Sequence, residues 1–192
     1  YDLKLFNSAA YLQYELHPAG PLTVVLGVRY DQLRYTFSNG LPPDRTRFKQ
    51  YERNRYHIFA PKAGITYNFP SGAGVYGNFS VGFQPPETSS LYSSRQLASL
   101  KEAKFYNSEI GGWFPLIAGK LRAEATLYRL TGKNEIISVL MPDNTTQNQN
   151  AGETLHSGIE YSLVWDPSRA WAFRLGGTFA RHYYRTYSEV TA

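Results

Sequence analysis

The feature that most constrains this chain is a strict two-residue alternation of apolar and polar side chains, clearest between Phe59 and Pro86. In the first run Phe59, Pro61, Ala63, Ile65, Tyr67 and Phe69 share one parity, and Lys62, Gly64, Thr66 and Asn68 the other. After Pro70-Ser71-Gly72-Ala73-Gly74, a second run sets Val75, Phe79, Val81 and Phe83 against Tyr76, Asn78, Ser80 and Gly82. Successive side chains of a β-strand point to opposite faces. A period of two held over so many positions therefore specifies strands with one apolar and one polar surface, joined by a tight turn.

Composition says what the apolar surface meets. Aromatic residues make up 16% of the 192 residues, with 16 Tyr and 11 Phe, yet the mean hydropathy is −0.42. Apolar content is carried by rings in an otherwise polar chain, which suits strands that touch lipid on one side. No apolar run approaches the roughly 20 residues of a spanning helix, so a membrane role falls to strands. Cys is absent, which excludes disulfides and thiolate metal sites. The net charge of +5 comes with no dense basic run, so nucleic acid is not expected as a partner. Residues 1–16 hold no basic start followed by an apolar core, so no signal peptide is read. The chain begins at Tyr1 and ends at Ala192 inside a polar segment, and both ends read as cuts in a longer protein.

Eight strands are expected. The first covers about Ala9 to Leu16, and the second starts at Leu22. Its apolar parity slips near Gln32, from Val28 and Tyr30 to Leu33, Tyr35 and Phe37, which predicts a β-bulge. Strands three and four are the pair around Pro70 to Gly74. Strand five runs from Phe105 to about Phe114, and strand six from Leu121 through Glu135-Ile136-Ile137 to a hairpin near Pro142-Asp143-Asn144. Strand seven ends at Trp165 and strand eight starts near Phe173. A short helix is expected around Ser94 to Lys104.

Short turns at 17–21, 70–74, 115–119 and 166–169 alternate with long polar segments at 38–55, 84–104 and beyond Ile137. Transmembrane barrels have short periplasmic turns, longer outer loops and aromatic girdles at both interfaces. Tyr67, Phe69, Phe114, Trp165 and Trp171 flank the short turns, and Tyr30, Phe59, Phe83 and Phe179 the other ends. A soluble β-sandwich also alternates, but it has no need of every long loop at one end. The fold class is therefore all-β: an antiparallel up-and-down transmembrane β-barrel segment of about eight strands, with residues 1–192 as one partial barrel domain.

The polar parity carries Glu15, Arg29, Asp31, Lys62, Glu109, Arg122, Glu124, Glu160 and Arg174. An Arg or Lys facing lipid at mid-bilayer costs on the order of 2–4 kcal/mol, so these side chains are expected to face a wet lumen. They form either a structural ion-pair lattice or a functional surface that contacts an internal plug or lines a path.

Other motifs carry less. Gly72-Ala73-Gly74-Val75-Tyr76-Gly77 has dinucleotide-loop spacing, but a strand follows where that fingerprint needs a helix N-terminus. His17, His57, His156 and His182 are scattered, with no pair at ligand spacing, so no metal site or cofactor is expected. His57 or His182 at a barrel rim could serve as a base, but no nucleophile motif accompanies either, so the chain is not read as an enzyme.

Phe59 to Tyr67, Gly77 to Pro86, Tyr106 to Gly111 and Asn150 to Glu160 resemble consecutive barrel motifs of TonB-dependent outer-membrane receptors, in order and with fitting loop sizes. The resemblance covers most of the chain from Ala9 to Thr178. It implies a 22-stranded barrel of a Gram-negative outer membrane, closed by its own plug domain and energised through TonB. Such a barrel imports a scarce ligand such as a ferric siderophore. Plug, TonB box and aromatic-ended last strand are not in these residues, so the chain is read as an interior barrel segment.

Ligand contacts are expected in the long loops. Arg45, Arg47, Tyr51, Arg53 and Arg55 fall in the first and Tyr92 and Arg95 in the second, where guanidinium groups suit an anionic or aromatic chelate. The same cations would also suit lipopolysaccharide, and the outer-membrane lipid is the expected partner of the apolar face. Thr145 to Asn150 is either a ligand contact or a strand end. The alternatives are a passive porin-type or adhesive barrel and, less favoured, a rim-active hydrolase.

Overall fold

The computed structural model describes residues 2–40, 51–91, 100–117, 119–140, 144, 146–150 and 152–186. Alternating sequence becomes long strands: β1 (Asp2–Ala19), β2 (Leu22–Ser38), β3 (Tyr51–Asn68), β4 (Gly74–Gln84), β5 (Ala103–Ile117), β6 (Leu121–Lys133), β7 (Ile136–Leu140), β8 (Thr146–Asn150), β9 (Glu153–Ser168) and β10 (Trp171–Thr186). One helical turn, α1 (Thr88–Leu91), lies between β4 and β5. Eight strands form a single antiparallel sheet in the order β1-β2-β3-β4-β5-β6-β9-β10, and β7 and β8 form a separate hairpin. Neighbours in sequence are neighbours in space, apart from the β7/β8 excursion, which makes an up-and-down wall with β1 and β10 at its edges.

The short connections all lie at one end and the long ones, 39–50, 85–102 and 134–152, at the other. The opening hairpin closes tightly. Gly72 N donates to Phe69 O at 3.0 Å and Phe69 N to Ala73 O at 2.9 Å, with Gly72 at φ 83°, a left-handed conformation that glycine adopts without a steric penalty. The opposite short turn, before β6, has Gly119 at φ 67°.

Cross-strand partners share a face. The row Leu12, Val28, Pro61 runs across β1, β2 and β3, and the row Ile110, Leu127, Ile159, Phe179 across β5, β6, β9 and β10. These rows define an outer apolar face on which Leu12, Phe59, Ile110, Leu127, Leu175 and Phe179 are all more than half exposed. Near the short turns Trp171 and Trp165 stack on Phe173, at 6.0 and 5.3 Å between centroids, building a continuous aromatic rim.

Four expectations need correction. No bulge interrupts β2: its pairing with β3 is continuous from Leu22↔Tyr67 to Ser38↔Tyr51, and that with β1 passes through Gln32 without a shift. The parity slip has another cause, because Leu33, Tyr35 and Phe37 are buried on the inner face. Strand six does not run on through Ile137. Asn134 takes φ 57° after Lys133, and the chain leaves the wall for the β7/β8 hairpin. The helical turn is at Thr88–Leu91, while residues 100–102 are irregular and 103–104 already belong to β5; residues 92–99 lie outside the described set. Finally, Phe83 is no exposed girdle residue. Pairing of β3 with β4 stops at Lys62↔Ser80, the strands separate above it, and Phe83 packs half-buried against the interior cluster.

Glycine opens one close approach that packing depends on. A Cβ on Gly74 would lie 2.0 Å from the Trp113 ring, whose Nε1 donates to Gly72 O at 3.1 Å. Gly74→Val in the full-length protein should cost about 1–3 kcal/mol, the usual range for overpacking. Gly20→Val, with nothing within 4 Å of the added carbon, should be nearly neutral. Urea unfolding in lipid vesicles measures both; equal midpoints for the two variants would contradict the packing.

Candidate functional site

The candidate site is the inner face and its open, long-loop end. The register sets Glu15, Arg29, Asp31, Lys62, Glu109, Arg122, Glu124, Glu160 and Arg174 on the face opposite the apolar rows. Most are paired locally. Arg29 grips Asp31 through two 2.7 Å hydrogen bonds, Arg122 meets Glu124 at 3.2 Å, Arg174 meets Asp166 at 2.8 Å and His17 meets Glu15 at 3.1 Å. Glu109 accepts from Asn107 Nδ2 at 2.6 Å. Lys62, Glu109 and Glu160 have no ion pair among the described residues.

Between β4, β5, β6 and β9 this wall holds a shallow depression of about 400 Å³, lined in part by Tyr76, Asn107, Glu109, Tyr128 and Glu160. Its floor depends on Gly111. The Tyr76 hydroxyl reaches Thr126 Oγ1 at 2.6 Å across that glycine, where a Cβ would come within 2.8 Å of both residues. That contact ties the tyrosine of β4 to β6 across β5.

Above the wall the chemistry inverts. Leu33 and Tyr35 from β2, Tyr56 and Ile58 from β3, and Leu91 and Leu100 from the β4–β5 connection form a buried cluster, joined by Phe83 and Ile136. Ile58, Leu91 and Asp31 are each 1% exposed. The Tyr56 hydroxyl donates to Leu100 O at 3.0 Å. The Asn150 amide then clamps the next residue, accepting from Lys101 N at 2.9 Å and donating to Lys101 O at 3.0 Å and Asn134 O at 2.6 Å. Thus Asn150 is both the end of β8 and a clasp, and both ends of the described part of the β4–β5 connection are fastened against the inner side of the mouth.

The predicted ligand residues separate. Arg45, Arg47, Tyr92 and Arg95 lie outside the described residues. Tyr51, Arg53 and Arg55 are strand residues, because β3 starts at Tyr51, and they share the outward parity of Phe59. Arg53 donates to the Tyr51 hydroxyl at 2.7 Å. They face away from the lumen, so the expectation that these three lie in a loop is corrected.

Sequence spacing also hid a histidine pair. His156 and His182, 26 positions apart, are direct cross-strand partners on the inner face, with Nδ1 atoms 2.6 Å apart and Glu135 4.0 Å from His156 Nε2. Glu135 also accepts from Thr154 Oγ1. Only the β9/β10 register brings them together. His57 instead faces outward and meets the Tyr30 hydroxyl at 2.7 Å. Among the described residues no group of three or more metal-ligating side chains occurs.

An up-and-down wall with an apolar outer face, a charged inner face and all its long loops at one end defines the class: a segment of a transmembrane β-barrel. The chain belongs to the TonB-dependent receptor family. The family model described as TonB dependent receptor-like, beta-barrel, matches residues 2–191. No curated protein matches the sequence. Solved structures share the fold. A copper transporter superposes with TM-score 0.76 at 14% identity, over 94% of this chain and 29% of that one. The ferric yersiniabactin uptake receptor of Yersinia pestis gives 0.71 at 18%, over 94% and 27%. The ferripyoverdine receptor of Pseudomonas aeruginosa gives 0.66 at 20%, over 94% and 23%. The chain thus spans less than a third of each of these proteins. Barrels of this family lie in the outer membrane of Gram-negative bacteria, and the family consists of transporters and receptors, not enzymes.

Truncating Ile58 to Ala should remove about 2–4 kcal/mol from the mouth cluster, by lost burial plus the cavity left behind. Hydrogen exchange of the intact protein should then speed up at Leu91 and Leu100, while the β5/β6 ladder exchanges as before. Phe59→Ala, on the outward face, should leave both unchanged. Unaltered exchange at Leu91 and Leu100 in Ile58→Ala would mean the cluster does not hold the connection.

Proposed function

We propose that this chain is barrel wall and extracellular mouth of an energy-coupled outer-membrane importer whose cargo is a ferric siderophore or similar iron complex. The observation that carries the reading is the two-tier inner face. A charged wall lies below, and an apolar cluster fastens the β4–β5 connection inside the mouth above it. A mouth of this build holds a binding surface in place over a polar passage. Family membership supports import, and a metal complex as cargo is supported by similar structures named for ferric yersiniabactin, ferripyoverdine and copper.

In this reading the plug and TonB act through parts of the protein outside these residues. Glu109 and Glu160, carboxylates with no ion pair among the described residues, face the plug and accept hydrogen bonds or cations from it. Arg45, Arg47, Tyr92 and Arg95 contact the cargo from the loops, by charge pairing with an anionic chelate and by stacking on it. No covalent step is involved.

Deleting residues 41–50 from the full-length receptor should weaken binding of the ferric complex at least tenfold, with the barrel still inserted. Removing TonB should abolish uptake. Retained affinity would remove that loop from the site, whereas uptake that survives loss of TonB would replace the importer with a passive pore.

A further inference from the structure

Two imidazoles converge on the inner face where β9 meets β10. Asn107, Leu130, His156 and His182 are successive partners across β5, β6, β9 and β10, so both histidines share the parity of Asn107 and Leu130, which line the depression in the wall. The two rings lie 4.8 Å apart at 58°, and their Nδ1 atoms approach to 2.6 Å. At that distance one Nδ1 donates an N–H and the other accepts with its lone pair, because two N–H groups or two lone pairs would repel. A ring nitrogen with a free lone pair is the form in which imidazole binds a metal ion. The His156 side chain is half-buried and His182 is exposed, so an ion has access from the lumen side.

The far side of His156 is arranged for the same purpose. Its Nε2 faces Glu135 at 4.0 Å, and Glu135 accepts from Thr154 Oγ1. Thr154 is buried and lies one inward position above His156 on β9. Gly132, the β6 partner of Thr154, leaves the room for this contact: a Cβ there would collide with both the Glu135 carboxylate and Thr154 Oγ1. Asn134, at φ 57°, turns the chain out of β6 just before Glu135. A carboxylate behind a ligating imidazole draws the other ring N–H, fixing the tautomer and the ring orientation. With the Nε2 proton held toward Glu135, the His156 lone pair sits on Nδ1, facing His182.

We propose that His156 and His182 chelate a divalent transition-metal ion through their two Nδ1 atoms, Cu2+ most tightly and Zn2+ and Ni2+ less so. Imidazole suits all three ions, and the order follows the general rise of affinity to copper. Metal–nitrogen bonds of about 2.0–2.1 Å at a tetrahedral angle place the nitrogens roughly 3.3 Å apart, so a small ring rotation opens the pair to the ion. Among the described residues no group of three ligating side chains forms, so Glu135 acts from behind the ring and water fills the other positions. Two protein ligands make an exchangeable site, not a closed structural one. The site follows from the β9/β10 register and not from the identity of the cargo.

The test uses the untagged full-length receptor in detergent, freed of metal and titrated with Cu2+, Zn2+ and Ca2+. Electron paramagnetic resonance of the Cu2+-loaded wild type should show coupling to two imidazole nitrogens. His156→Gln and His182→Gln should each weaken that site at least tenfold, while His57→Gln, on the outward face, should bind as the wild type does. Zn2+ should compete for the site, and Ca2+, which takes oxygen ligands, should not. Glu135→Gln should weaken Cu2+ binding about tenfold, the low end for a group behind a ligating histidine, with the two-nitrogen coupling kept. His182→Cys should hold Zn2+ within tenfold of the wild type, because a thiolate replaces one nitrogen ligand, and this separates lost ligation from a displaced strand. A wild-type signal without two-nitrogen coupling, a site that survives either glutamine substitution, equal competition by Ca2+, or loss of Zn2+ from the cysteine variant would overturn the proposal.

Discussion

The wall of this structure rests on the backbone ladder of its eight-stranded sheet. Within lipid no water is present to satisfy an amide or carbonyl, so every spanning residue must find its partner on a neighbouring strand. The pairing of β2 with β3 runs through seventeen consecutive partners without a shift, and that of β6 with β9 through thirteen. Register shifts lie at strand ends beside the short turns, between Leu16 and Ala19, Pro115 and Ile117, and Trp171 and Phe173, and at the far end of β10, while the β3/β4 ladder ends at Lys62↔Ser80. A slip of one residue inside the wall would place its charged set in lipid. The ladder and the alternation therefore enforce one another.

That mutual enforcement explains what could be read without coordinates. Alternation around Phe59 to Phe83 and Leu121 to Tyr128 specified strands and their faces, because the cost of a misplaced charge leaves no freedom. The Pro70 to Gly74 turn was legible for a similar reason, since Gly72 occupies a left-handed conformation that few other residues tolerate. Strand lengths were underestimated. Asp2 to Ser8 and Tyr51 to His57 extend the wall beyond the bilayer, where the outer face is no longer held apolar by lipid.

The features that escaped sequence reasoning depend on which residues meet across strands. The His156/His182 pair is set by the β9/β10 register, and no local spacing encodes it. Asn150 looked like one amide in a polar run, but its function is set by Lys101, 49 positions away, whose backbone it clasps. Arg53 and Arg55 looked like loop cations because their neighbours are polar. Parity counted back from Phe59 would have placed them outward, once β3 was known to start at Tyr51.

The parity change in β2 is the most informative of these differences, because it marks a change of solvent along a single strand. Below Tyr30 the outward residues Leu22, Val24, Leu26 and Val28 are apolar, as lipid requires. Above it the inward residues Leu33, Tyr35 and Phe37 are apolar and buried, as water outside requires. Asp31 stands at the junction, 1% exposed and held by two hydrogen bonds from Arg29, so the first inward position under the cluster is a neutralised charge rather than an apolar side chain. A bulge would have turned the same residues outward, giving a strand that is apolar toward lipid for its whole length and a mouth with nothing to hold the β4–β5 connection. With continuous register the strand instead changes from membrane wall to the edge of a water-excluding core within a few residues. That core packs against Leu91 and Leu100 of the β4–β5 connection, apart from the lipid that stabilises the wall beneath it.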